Sequence, residues 1–174
     1  MKNVLTYIIT LSILLGISIS SARAAHSPEI TDRWTGKAVP TFNCKGINGK
    51  NYTQKDFTGK PTVVNFYASW CPPCRTEIRH LKQLKQQFGD KVSFFGVLID
   101  SVETPDTVGK AKEMLASNPL PYPVLLMTKE MKDGFKFEGI PSLYLITKEG
   151  KFSTTLLGPQ TKPKIESHIK KLIK

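Results

Sequence analysis

Repetition is the first thing this chain lacks. No block recurs at the roughly 20–50 residue periods of solenoids, and neither glycine nor proline, at 12 each, is abundant enough for a collagen-like or wholly disordered chain. Cysteine and histidine are scarce, three of each. Beyond Cys71 and Cys74 no second close pair completes a zinc site, and no Met- or His-rich tract suggests a copper carrier. Acidic side chains are few as well, 14 against 25 Lys and Arg. What remains, 40% apolar and 22% charged over 174 residues, suits one globular domain of the usual length, about 150 residues.

Lys2 precedes an almost uncharged apolar stretch, Leu5 to Ile19, that runs into Ser20-Ser21-Ala22-Arg23-Ala24. A basic start, an apolar core and a small-residue A-x-A-like site read as a secretory signal peptide over residues 1–24, cleaved after Ala24. The alternative is an uncleaved anchor, because the stretch falls between a signal core and the roughly 20 residues of a spanning helix. No cysteine stands near the site for lipid attachment. Export implies a periplasmic protein, soluble after cleavage or held at the inner membrane by its N-terminus. Removing residues 1–24 takes away Lys2 and Arg23 and lowers the net charge from +11 to +9. The lysines are scattered, grouped most closely at 162, 164, 170, 171 and 174, so the balance reads as a solvated basic surface. Export argues against a nucleic-acid partner, and docking to an acidic protein or a membrane surface stays open.

Residues 25–38, polar with a lone Trp34, read as a lead-in to a domain over 39–174. The β-branched and aromatic run Thr62 to Tyr67 follows Gly59-Lys60-Pro61 and predicts a buried strand. Ile78, Leu81, Leu84 and Phe88 recur at three- and four-residue steps and predict an amphipathic helix ending near Gly89. Further strands are expected at Val92–Ile99, Val124–Met127, Ser142–Thr147 and up to about Leu157, the last two as a hairpin. Helices are expected at Thr104–Asn118 and Lys162–Ile173, with a weak helical turn at Lys129–Gly134. The pattern is that of an α/β sheet with helices on both faces.

The chemistry sits in Cys71-Pro72-Pro73-Cys74, where a strand ends and a helix begins. A sulfur at a helix N-terminus faces unsatisfied N–H groups and the positive end of the dipole, which favours thiolate. Cys71 is therefore the expected nucleophile. Cys74, one turn later, can reach it to close or resolve a disulfide. Pro73 fits a first turn, where a missing N–H costs little. Half a zinc site and a purely structural disulfide are the competing readings, although so short a loop yields little entropic gain. Cys44 is the odd cysteine, either a thiol open to mixed disulfides or a small apolar filler in a strand.

These residues resemble the thioredoxin fold, and within it the extracytoplasmic TlpA/ResA-like group. The resemblance is carried by Val39-Pro40-Thr41-Phe42, Asp56 to Pro61, Val64 to Arg75 and Gly139-Ile140-Pro141-Ser142, and it covers essentially the whole mature chain. It implies a central mixed sheet and the group's insertion between the first helix and Pro141. It further implies that Pro141 is a cis-proline facing the disulfide, with Ile140 presenting backbone to an extended substrate segment; an ordinary trans proline starting a strand is the alternative. Glu77 resembles the acidic residue that tunes the cysteines or moves protons in this group. Asn65 stands where cytoplasmic thioredoxins carry a buried Asp, and it cannot take a proton, which leaves Glu77 as the candidate base. An exposed first-turn acid is the other reading of Glu77. Trp70 is expected to cover one side of the disulfide, or else to pack as an ordinary strand-end aromatic.

The resemblance implies a thiol–disulfide oxidoreductase that needs no cofactor. It would reduce disulfides in exported proteins, such as apocytochrome c or metal-site assembly proteins, with electrons from a membrane donor of the DsbD or CcdA kind. A disulfide oxidant or isomerase, and a copper chaperone using the Cys71 and Cys74 thiolates, are the alternatives.

Overall fold

The structure, a computed structural model, describes residues 34–174. The signal-peptide expectation and most of the lead-in lie outside the described residues. A small antiparallel hairpin comes first, β1 (Asn43–Lys45) and β2 (Asn51–Thr53). Then follow β3 (Thr62–Tyr67), α1 (Pro72–Phe88), β4 (Ser93–Leu98), α2 (Asp100–Glu103), α3 (Val108–Ser117), β5 (Val124–Leu126), α4 (Lys129–Gly134), β6 (Ser142–Ile146), β7 (Phe152–Leu157) and α5 (Lys162–Leu172).

Five strands make the central sheet in the order β5-β4-β3-β6-β7. The neighbours β3, β4 and β5 run parallel, because helical crossovers return the chain to the same end, whereas β6 and β7 are antiparallel. Every residue of β3 is buried, as befits a central strand covered on both faces. Val63 pairs with Phe94 and Leu145, and their shared face is covered by Leu81, Leu84 and Phe88 of α1 and Ile165 and Ile169 of α5. Val64 and Phe66 point to the other face, against Tyr144, Phe135 and Met131 of α4. Leu84 is fully buried, and its truncation to Ala should cost about 3 kcal/mol.

Two features differ from the sequence reading. The helix expected over Thr104–Asn118 begins only at Val108, as α3, after a 3-10 turn at Pro105–Thr107, and a separate short helix, α2, precedes it. Pro105 disfavours helical backbone at Thr104, which sits at φ −146° and ψ 68°. The end of the lead-in, residues 34–38, is also not a free tether. Trp34 packs edge-on against Phe152, Gly36 N–H donates to the Phe152 carbonyl at 2.8 Å, and Ala38 bridges Lys151. The β6–β7 turn that receives this segment depends on Gly150, whose φ of +73° is a region L side chains rarely adopt. Among the described residues no helix is long and apolar enough to cross a membrane.

Candidate active site

The end of β3 delivers the dithiol to the start of α1. Cys71 has extended backbone and caps the helix, with its Sγ accepting from the Cys74 N–H at 3.3 Å. Pro72 and Pro73 occupy the first turn, where no intrahelical acceptor awaits their missing N–H groups. Cys71 and Cys74 are joined in a disulfide with their Cα atoms 5.3 Å apart. Both are buried, Cys74 completely. Of the pair, Cys71 is therefore the residue with some access to solvent.

Glu77 is 1% exposed and lies one turn beyond Cys74 on the inner side of α1, so the exposed-acid reading of this residue does not hold. Its Oε1 accepts from Asn65 Nδ2 at 3.0 Å and its Oε2 from the Gln160 N–H at 2.9 Å. Burial pushes the carboxyl up to about 7, against the opposing pull of those two hydrogen bonds. Asn65 thus occupies the β3 position expected from the sequence, but as a donor to Glu77. Gln160 had not been singled out. Its side chain is tied back to the Leu157 and Gly158 carbonyls at 2.8 and 2.9 Å, which holds its N–H over the carboxylate. His80, one turn after Glu77, is half-buried, with Nδ1 3.3 Å from the Gln160 carbonyl.

The Ile140–Pro141 bond is cis. Ile140 packs against the cluster that contains Cys71 and Cys74, and the Pro141 carbonyl accepts from the Gly158 N–H at 2.9 Å. Trp70 is 48% exposed, with its indole Nε1–H donating to Thr104 Oγ1 at 3.0 Å. Sequence reasoning also missed Asp100. This carboxylate is 0% exposed and accepts from the Ser69 N–H at 3.0 Å, from the Ser69 hydroxyl, and from Thr107 Oγ1 at 2.7 Å. The signal was present in the chain, a lone acid closing the apolar run Val97-Leu98-Ile99 at the carboxyl end of a parallel strand. Cys44 is buried in β1, and burial pushes its thiol up to about 12, which makes it an inert filler.

A model of the AhpC/TSA family matches residues 35–154. The chain belongs to this family. Within the AhpC/TSA family it is similar to the thiol-disulfide oxidoreductase ResA of Bacillus thuringiensis subsp. konkukian (strain 97-27), 30% identical over 138 residues that cover 79% of this chain and 78% of the relative. The ResA of Bacillus subtilis (strain 168) is 27% identical over 156 residues, covering 89% and 83%. Among solved structures, a thioredoxin-family thiol:disulfide interchange protein from Chlorobium tepidum TLS superposes with a TM-score of 0.69 at 28% identity, covering 82% of this chain and 98% of that one. StoA from Bacillus subtilis gives 0.61 at 27% identity, covering 75% and 97%. With its thioredoxin-like fold, this AhpC/TSA-family chain is a thiol–disulfide oxidoreductase.

Proposed function

We propose that the protein works outside the cytoplasm as a reductant of disulfides in exported proteins, with Cys71 as nucleophile, Cys74 as resolving thiol and Glu77 as proton acceptor. The observation that carries this reading is the buried Glu77 carboxyl, on the same face of α1 as Cys74, with its proton affinity raised to near neutrality. A thiolate at Cys71, favoured by the helix N-terminus, attacks one sulfur of the partner disulfide. A mixed disulfide forms, and the partner's other sulfur leaves as a thiolate that takes a proton. Cys74 then gives its proton to the Glu77 carboxylate and attacks Cys71 Sγ. The partner's second thiol is released and the Cys71–Cys74 disulfide closes, so two electrons have moved to the partner.

Trp70, Ile140 and Pro141 form the docking surface around the disulfide in this scheme. The exposed indole supplies apolar contact, and the Ile140 backbone is available to an extended segment. The substrates are exported proteins whose cysteines must stay reduced, such as apocytochrome c or metal-site assembly proteins. Re-reduction then falls to a membrane donor of the DsbD or CcdA kind.

The test is the reduction potential of the Cys71–Cys74 pair, followed by Trp fluorescence in glutathione or dithiothreitol buffers. A value near or below roughly −220 mV is expected; one near about −120 mV, as in strong oxidants, would overturn the reducing direction. Cys74→Ala should trap the partner as a mixed disulfide on Cys71.

A further inference from the structure

We propose that Thr104 and Thr107, anchored on Asp100, are positioning residues that lock the Trp70 indole as a platform for an extended, apolar-bearing partner polypeptide beside Cys71. The inference rests on the docking role given to Trp70 above and adds what holds that residue in place. Trp70 leaves a large apolar ring half in water next to the nucleophile, whereas the similarly exposed Ile173 lies at the far end of the chain. An aromatic side chain that is already fixed loses little rotamer freedom when a partner covers it, so fixing it raises affinity without a new contact.

The fixing is a chain of hydrogen bonds whose direction is forced. The indole Nε1–H only donates, here to Thr104 Oγ1 at 3.0 Å. The Asp100 carboxylate only accepts, here from Thr107 Oγ1 at 2.7 Å. Thr107 Oγ1 also lies 2.8 Å from the Thr104 carbonyl, and with its one proton given to that carbonyl or to Asp100, the two threonine oxygens, 2.9 Å apart, pair with Thr104 O–H donating to Thr107. Each bond in such a chain polarises the next, and the run ends on a buried charge, where hydrogen bonds are strongest.

The frame around this chain is equally constrained. Thr104 N–H donates to the Asp100 carbonyl at 3.0 Å and Thr107 N–H to the Thr104 carbonyl at 2.9 Å. Asp100 meanwhile holds Ser69, the residue before Trp70, through both its N–H and its hydroxyl. One carboxylate thus grips the strand end that carries Trp70 and the turn that receives its indole. The two threonines lie between β4 and α3, so this segment contributes to partner selection without touching either sulfur.

The experiment uses Thr104→Val and Thr107→Val, which keep shape and remove the oxygens, with Thr104→Ser as the conservative rescue. Two measurements are made in a Trp34→Phe background, where Trp70 is the sole indole. The first is solvent exchange of the indole N–H by NMR. The second is the single-turnover rate at which the reduced protein attacks a leucine-flanked, disulfide-closed peptide, divided by its rate with oxidised glutathione. Division by the glutathione rate removes a change in the intrinsic reactivity of Cys71, and far-UV circular dichroism checks that each variant is folded. Both valine variants should exchange the indole proton about tenfold faster and lose about fivefold in the ratio, the order expected for one lost hydrogen bond, and Thr104→Ser should restore both. Faster exchange with an unchanged ratio, or unchanged exchange, overturns the inference. Trp70→Ala distinguishes the underlying reading: if it too leaves the ratio unchanged, the docking role of Trp70 itself falls.

Discussion

Two buried carboxyls bracket the dithiol, and they are built for different work. Glu77 lies under α1 after Cys74 and takes two N–H donors, from the Asn65 amide and the Gln160 backbone. Asp100 opens α2 just after β4 and takes one N–H and one hydroxyl from Ser69 and a second hydroxyl from Thr107. For Glu77, burial outweighs its hydrogen bonds and leaves a group that gains and loses a proton around pH 7. Asp100 ties the end of β3 to the turn before α3, beside the Ile99 N–H to Tyr67 carbonyl bond and the Trp70–Thr104 bond. Burial of an acid therefore does not define its role; which groups surround it, and whether a sulfur lies one turn away, does.

The largest break in this comparison should come from Asp100→Ala. It removes the acceptor of the half-buried Ser69 N–H and of two hydroxyls, and should lower stability by about 2 kcal/mol in urea unfolding. Glu77→Gln should do the opposite, keeping the fold while slowing disulfide reduction at pH 7 about a hundredfold. The test is the stopped-flow pH profile, which should lose its inflection near 7. Nearly equal losses of rate and stability in both variants would dissolve the distinction.

A third prediction concerns pH and stability. The folded-state value of Glu77 is raised, so its protonated form favours folding; that stability is fully present below about 4.5 and is lost as pH rises through about 7. Unfolding free energy should fall by about 2 kcal/mol between pH 5 and 8, and Glu77→Gln should flatten this slope. The smallest effect is expected at Cys44, a buried titratable group that serves only packing. Its replacement by Ala should cost about 1 kcal/mol, and iodoacetamide should label reduced Cys71 long before Cys44.

Much of the fold was legible because its signals are local. Periodic Ile78, Leu81, Leu84 and Phe88 marked α1, Gly89 marked its end, and the β-branched run marked β3. The β1–β2 hairpin was overlooked although Asn48-Gly49 is a turn signal, because its three-residue strands are too short to display alternation. The site was legible where a motif carried it, at Cys71, Cys74 and the Ile140–Pro141 step. It was illegible where one partner came from far along the chain. Gln160 meets Glu77 across 83 residues, Asp100 meets Ser69 across 31, and Trp70 meets Thr104 across 34.

By itself the sequence determined the dithiol, its place between strand and helix, the α/β class and the absence of a titratable residue at Asn65. Those properties follow from residue type and spacing, which act within a turn or a strand. Only the tertiary structure decided that Glu77 is buried rather than solvated and that Trp70 is held by a threonine relay rather than left free. Desolvation and hydrogen-bond satisfaction depend on which distant segments close over a group, and the packing of α1, α5 and the turn after β4 around β3 sets that.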